Sequence, residues 1–137
     1  MAIEKNLVTT TEDAAANLSS YQYRCVVQQT TDGRVALSGN AAVVFGVLQN
    51  KPAAAGRGAI VAIGGITKMR AEASVAGTAL APGTALMSST IGLAVKATTG
   101  GTAYVFGRSM DILSTSTVAP TTIISARITN EGPTSTA

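Results

Sequence analysis

Residues 41–71 read AAVVFGVLQNKPAAAGRGAIVAIGGITKMRA, and this stretch decides the fold class. Ala41–Leu48 is continuously apolar and carries Val43, Val44, Phe45 and Val47. Such a run predicts a strand covered on both faces. Pro52 and the small-residue stretch AAAGRG at 53–58 end it. Ala59–Ile63 and Ile66–Ala71 then read as two further short strands around Gly64-Gly65.

The pattern continues outward in both directions. In Tyr21–Gln29, Tyr21, Tyr23, Cys25 and Val27 alternate with Gln22, Arg24 and Gln28, which is the period-2 signature of a half-buried strand. Thr31-Asp32-Gly33 supplies a turn, because glycine tolerates positive φ and aspartate bonds its local backbone. Arg34–Leu37 reads as the returning strand, and Ser38-Gly39-Asn40 as the next turn. Downstream, Pro82-Gly83 marks a turn before Thr84–Ser88, and Ile91–Ala97 sets Ile91, Leu93 and Val95 on one face. Gly100-Gly101 precedes Ala103–Leu113, and Pro120–Ile128 closes the series with Ile124 and Ile128 in phase. Short strands spaced about ten residues apart by Gly or Pro predict an all-β sandwich or barrel. A helix is an open alternative only at Glu12–Leu18, where Thr11 could cap it. Three zones follow: an extended N-terminal arm at 1–19, a β-domain at 20–128, and a short C-terminal tail at 129–137 with no core-forming residue.

Composition narrows the function classes. The 137 residues fit one domain. Hydrophobic residues make up 46%, but aromatics only 4% and charged residues 12%, about half the usual ~25%. A surface so poor in charge suits a protein packed against copies of itself or a partner. The net charge is +3, and the basic residues are scattered from Lys5 to Arg127 without a stripe, so no nucleic-acid partner is expected. The first twenty residues lack the apolar core of a signal peptide, and no segment has the length and hydropathy of a membrane span. The expectation is a protein made in the cytoplasm, with no membrane partner.

The chain is poor in catalytic groups. It contains no histidine, so Ser-His-Asp and Cys-His pairs cannot be built. Cys25 is the single cysteine, which leaves no intrachain disulfide and no Cys/His zinc site. It alternates in phase with Tyr21 and Tyr23, and core packing is the expected role. Glu12 and Asp13 are adjacent acids in the arm with nothing to enclose them, and read as a solvated segment. No catalytic residue, cofactor site or metal site is expected. The AAAGRG stretch lacks the spacing of a phosphate-binding loop, though its Arg57 can reach an acidic partner. Lys68-Met69 is similar to the modified lysine of a biotinyl or lipoyl carrier, but Ile66–Ala71 reads as mid-strand, where a lysine is not presented for modification.

From Val44 the order is VFGV, a Pro/Ala/Gly linker, VAIGGITK, then AGTAL and GTALM, followed by Val105-Phe106-Gly107-Arg108. This order resembles the capsid cement or head decoration proteins of tailed bacteriophages, of the DUF2190 type, over residues 20–128. The resemblance implies a small β-barrel or β-tulip-like domain, commonly a homotrimer, on the outer surface of the expanded capsid. It implies the phage major capsid protein as partner, with the trimer bridging capsomers. Candidate contact residues are Ile3, Lys5, Leu7, Val8, Lys51 and Arg57. Ile3, Leu7 and Val8 would anchor an arm that adds a strand to a neighbour's sheet edge. Other readings are a tail or baseplate component, or a carbohydrate-binding module. The absence of tryptophan and the core phase of the few aromatics count against the latter.

Overall fold

The computed structural model describes residues 5–71, 80–97, 103–111 and 122–133. Nine strands form among them: β1 Lys5–Asp13, β2 Cys25–Gln28, β3 Val35–Leu37, β4 Gly46–Leu48, β5 Gly58–Ala71, β6 Ala85–Ser88, β7 Ala94–Lys96, β8 Tyr104–Ser109 and β9 Thr122–Pro133. The described residues contain no helix, and the all-β expectation holds.

β5 organises the molecule. The sheet order is β3-β2-β4-β5-β7-β6-β8-β9, and a further β5–β9 pairing closes the strands from β5 to β9 into a ring. The N-terminal half of β5 pairs with β1 and β4, and its C-terminal half with β9 and, at Ala71↔Ala94, in parallel with β7. Ile66 is paired with both Lys5 and Arg127, so β1 and β9 flank it on opposite edges. On the other side of β5, the chain after β1 meets β3 at a parallel bridge between Ala14 and Val35. That contact is tied by the Ala15 N–H donating to the Val35 carbonyl at 2.8 Å.

Each half has its own apolar filling. Met69, Leu80, Leu86, Phe106 and Ile124 share one buried cluster with Cys25, Val47 and four alanines, Ala62, Ala71, Ala94 and Ala126. Ala14, Leu18, Val26, Val35, Leu48, Ala59 and Val61 form the second, between β1 and β3. A third, smaller group of Met87, Val95, Ala97, Ala103 and Val105 lies along β6–β8. The many alanines let backbones approach closely, which explains how a chain with few aromatics buries so much of itself.

Several sequence expectations change for identifiable reasons. The two strands around Gly64-Gly65 are one 14-residue strand. Gly65 takes φ +86°, which only glycine adopts freely, so the strand bends there without breaking. The strand expected from Tyr21 begins at Cys25. Tyr23 lies at φ 64°, its N–H donates to Leu48 O (2.7 Å), and its own carbonyl accepts from Arg70 N–H (2.8 Å). Those long-range bonds turn the chain between β4 and β5 and override local alternation. Within Ala41–Leu48 only Gly46–Leu48 is strand, buried on both faces as expected. Ala41–Phe45 is a loop held by Ala41 N–H to Ser88 O and Phe45 N–H to Val26 O. No helix forms at Glu12–Leu18. Glu12 and Asp13 complete β1, and Ala14 bonds Arg57 and Gly56, distant in sequence, instead of residues one helical turn away. Residues 129–133, expected as tail, continue β9 opposite Tyr104 and Val105.

One polar contact ties the far end of this ring. Arg108 on β8 makes a two-pronged bond to Glu131 on β9, at 2.6 and 2.8 Å, and also donates to the Gly83 carbonyl. The Arg108 guanidinium, with help from the Thr129 hydroxyl, holds the Glu131 carboxyl at about 2, well below the usual carboxylate range. A carboxyl depressed on folding contributes stability above its unfolded pKa, and that contribution is lost as pH falls from about 4.5 towards about 2. The pair is more than a third exposed, so its worth is about 1 kcal/mol or less. Glu131→Gln should therefore flatten the loss of stability between these pH values, measured by urea melts at fixed pH, and change little at pH 7 beyond that amount.

Candidate interaction surface

The sequence candidates do not gather into one patch. Lys5 and Val8 lie at the start of β1, where Val8, 54% exposed, faces Gly64. Leu7 is half-buried against the larger core cluster. Lys51 and Arg57 are exposed on the loop between β4 and β5. That loop sits against Ala14, through Ala14 N–H to Arg57 O (2.8 Å), so it marks the other end of β1. At about 3.3 Å per residue the two groups stand roughly 20–30 Å apart. Ile3 falls outside the described residues.

β1 is not a free arm. From Asp13↔Gly58 to Lys5↔Ile66 it is a strand of the chain's own sheet. Its register is continuous from Thr9 to Asp13 and irregular between Lys5 and Thr9, where Asn6 takes φ 50°. Residues 1–10 were expected to add to a neighbour's edge; of them 1–4 lie outside the described residues, and Lys5, Val8, Thr9 and Thr10 are already paired with β5, so what β1 exposes is its outer edge.

Open grooves mark the surface of the described residues. One, of about 410 Å³, lies between the end of β1 and the turn before β3, lined by Thr11, Glu12, Asp13, Asp32, Gly33 and Arg34. A second, of about 560 Å³, is lined by Val43, Phe45, Tyr104, Gln28, Thr30 and Asn130. Val43 is 69% exposed, the most exposed large hydrophobic residue described. Sequence reading placed it in a covered strand, and nothing local signals otherwise, because its exposure follows from the loop that replaces that strand. A third groove lies beside Arg108, Met110 and Arg127.

None of these grooves assembles a recognisable catalytic set. Glu12 and Asp13 are successive residues of a strand, so their side chains leave β1 on opposite faces. Asp32 is used by its own turn, accepting from the Arg34 N–H at 3.0 Å and lying 3.9 Å from the Arg34 guanidinium. Among the described residues no group of three Asp, Glu, Cys or His side chains could hold a metal ion. Cys25 is fully buried, as expected from its phase, and burial pushes its thiol well up, against a smaller opposing bond from Ser88. A thiol held protonated in this way is a poor nucleophile. Lys68 is mid-strand, opposite Ser125.

No protein-family model and no curated protein matches the chain. Among solved structures, the chain is similar to the N base of the head fiber gp8.5 of bacteriophage phi29. The likeness has a TM-score of 0.58 and 16% sequence identity, and covers 92% of this chain and 97% of that one. At that identity the likeness is one of fold.

Proposed function

We propose that this chain is a structural protein of a phage virion that sits on the outer surface of the expanded capsid and stabilises it by bridging capsomers. The observation that carries the reading is the fold, shared almost end to end with a phage head-fiber base. The low share of charged residues, 12%, supports it.

The mechanism is physical. Packaged DNA presses a capsid outward, and a protein that binds only the expanded lattice adds its binding free energy to that state. A homotrimer touching several capsomers gains from multivalency, so individually weak contacts give firm attachment. In this reading the two ends of β1, with Lys5 and Val8 at one and Lys51 and Arg57 at the other, are contact points on the major capsid protein. Such separated points suit a bridging element better than a single pocket does.

Co-sedimentation tests the reading. The purified protein is mixed with expanded, undecorated heads and, separately, with unexpanded procapsids. Saturable binding to expanded heads alone is expected. Equal binding to both, or to neither by a well-folded protein, would overturn the capsid-surface assignment and move the chain to the tail or baseplate.

A further inference from the structure

The hydrogen-bond phase of β1 shows which of its main-chain groups face outward. Ala14 N–H bonds Arg57 on the β5 side, while Ala15 N–H bonds Val35 on the opposite side. Main-chain direction alternates along a strand, so Thr10 and Glu12 address β5, and Thr9, Thr11 and Asp13 address the outer edge. No strand among the described residues pairs with that edge between Thr9 and Asp13. It is closed only at the Ala14–Val35 bridge, beyond which β1 and the turn before β3 diverge to leave the groove of about 410 Å³.

The opposite wall of this groove offers charge but no second ladder. The turn uses its own backbone: Gly33 N–H bonds Gln29 O, Arg34 O accepts from Gln29 N–H, and the Gln28 side chain donates to Gly33 O. The wall and the edge together carry three acids, Glu12 and Asp13 on the two faces of the β1 edge and Asp32 on the wall, and one base, Arg34, which lies 3.9 Å from Asp32. Three negative charges less one positive leave a local charge of −2, on a chain whose net charge is +3. An acidic slot alongside an unpaired, regular strand edge selects by charge while the main chain supplies the bonds.

We propose that this slot is an acceptor site for an extended, lysine- or arginine-bearing segment of a partner protein, which adds as a strand to the outer edge of β1. The inference rests on the reading of the chain as a binding protein and deepens it by assigning one edge and one partner chemistry. Capsid contacts at Lys5 or Arg57 do not require it.

The test uses the full chain and a synthetic peptide alternating threonine and lysine, with a threonine–glutamate peptide as control. Amide exchange is followed residue by residue. Protection of Thr9, Thr11 and Asp13 by the lysine peptide, and not by the glutamate peptide, is the expected result. Thr11→Pro removes an outward N–H without touching the β1–β5 bonds, and should weaken peptide binding about tenfold or more. Asp13→Lys, which leaves the backbone unchanged, should weaken the lysine peptide and strengthen the glutamate one. Three outcomes would overturn the proposal: no protection at these amides, equal protection by both peptides, or protection that rises with protein concentration alone, which gives the edge to a second copy. Because capsid contacts at Lys5 or Arg57 do not require the slot, head binding by Thr11→Pro and Asp13→Lys reads the capsid assignment separately from these three outcomes.

Discussion

Replacing Gly65 with alanine should cost about 3 kcal/mol or more and should detach β1 from the sheet before the rest unfolds. Gly65 sits at φ +86°, where a side chain alone costs about 1–2 kcal/mol. An added Cβ there would also collide with the Asn6 carbonyl and stand 2.9 Å from the Lys5 oxygen. Both are backbone atoms of β1 and cannot rotate away. Gly83 provides a matched control, because it has the same φ of +86° with no atom within 4 Å of an added Cβ. Gly83→Ala should therefore lose only the backbone term. The difference between the two urea midpoints isolates the collision, and amide exchange in β1 reports where it acts. Equal destabilisation by the two substitutions would show that β1 and β5 do not approach as described.

Phe106→Ala should be similarly severe, at about 3–5 kcal/mol. Phe106 is 1% exposed and is the largest of the fully buried side chains. Its cluster includes Ala62, Ala71, Ala94 and Ala126, which have no side-chain length with which to fill a void. A cavity lined by such residues collapses poorly, and that places the cost toward the upper end of the range. Against a typical total of about 5–15 kcal/mol, a large share of the stability is lost. Phe106→Leu keeps most of the volume and should cost about 1.5 kcal/mol or less. Denaturant melts of the two variants check the ordering. A Phe106→Ala protein as stable as the parent would mean that the ring is filled by something other than this side chain.

The parts of this fold legible in the sequence are those set by local chemistry. Asp32-Gly33 and Pro82-Gly83 are turns because their backbone preferences require it, and Gly33 and Gly83 both take positive φ. Cys25 was readable as core, and Ile124 faces inward in phase with Ala126. What was not legible depends on partners far along the chain. Tyr23 departs from its strand pattern because Leu48 and Arg70 claim its backbone. Glu12–Leu18 carries an acceptable helix signal that the pairing of Ala14 with Arg57 and Val35 outweighs. The groove beside β1 was hidden for the same reason: Glu12 and Asp32 are brought to one cleft only by a bridge between residues 14 and 35. Val43 was misread because an apolar run says nothing about where a strand within it begins.

The central position of β5 also has a consequence in time. Its first half finds β4 a few residues back and β1 further back, but its second half waits for β9, with Gly65 opposite Ile128 and Ala71 opposite Thr122. Loop closure over that span must precede any gain from the contacts it makes, and topologies built on distant pairings fold in about milliseconds to seconds. During synthesis at about 5–20 residues per second, half of β5 therefore stands without its final neighbour for several seconds. Bent at Gly65 and lacking β9, it is the segment most open to pairing with the wrong chain, so the risk of misassembly in this protein is concentrated in the strand that later holds it together.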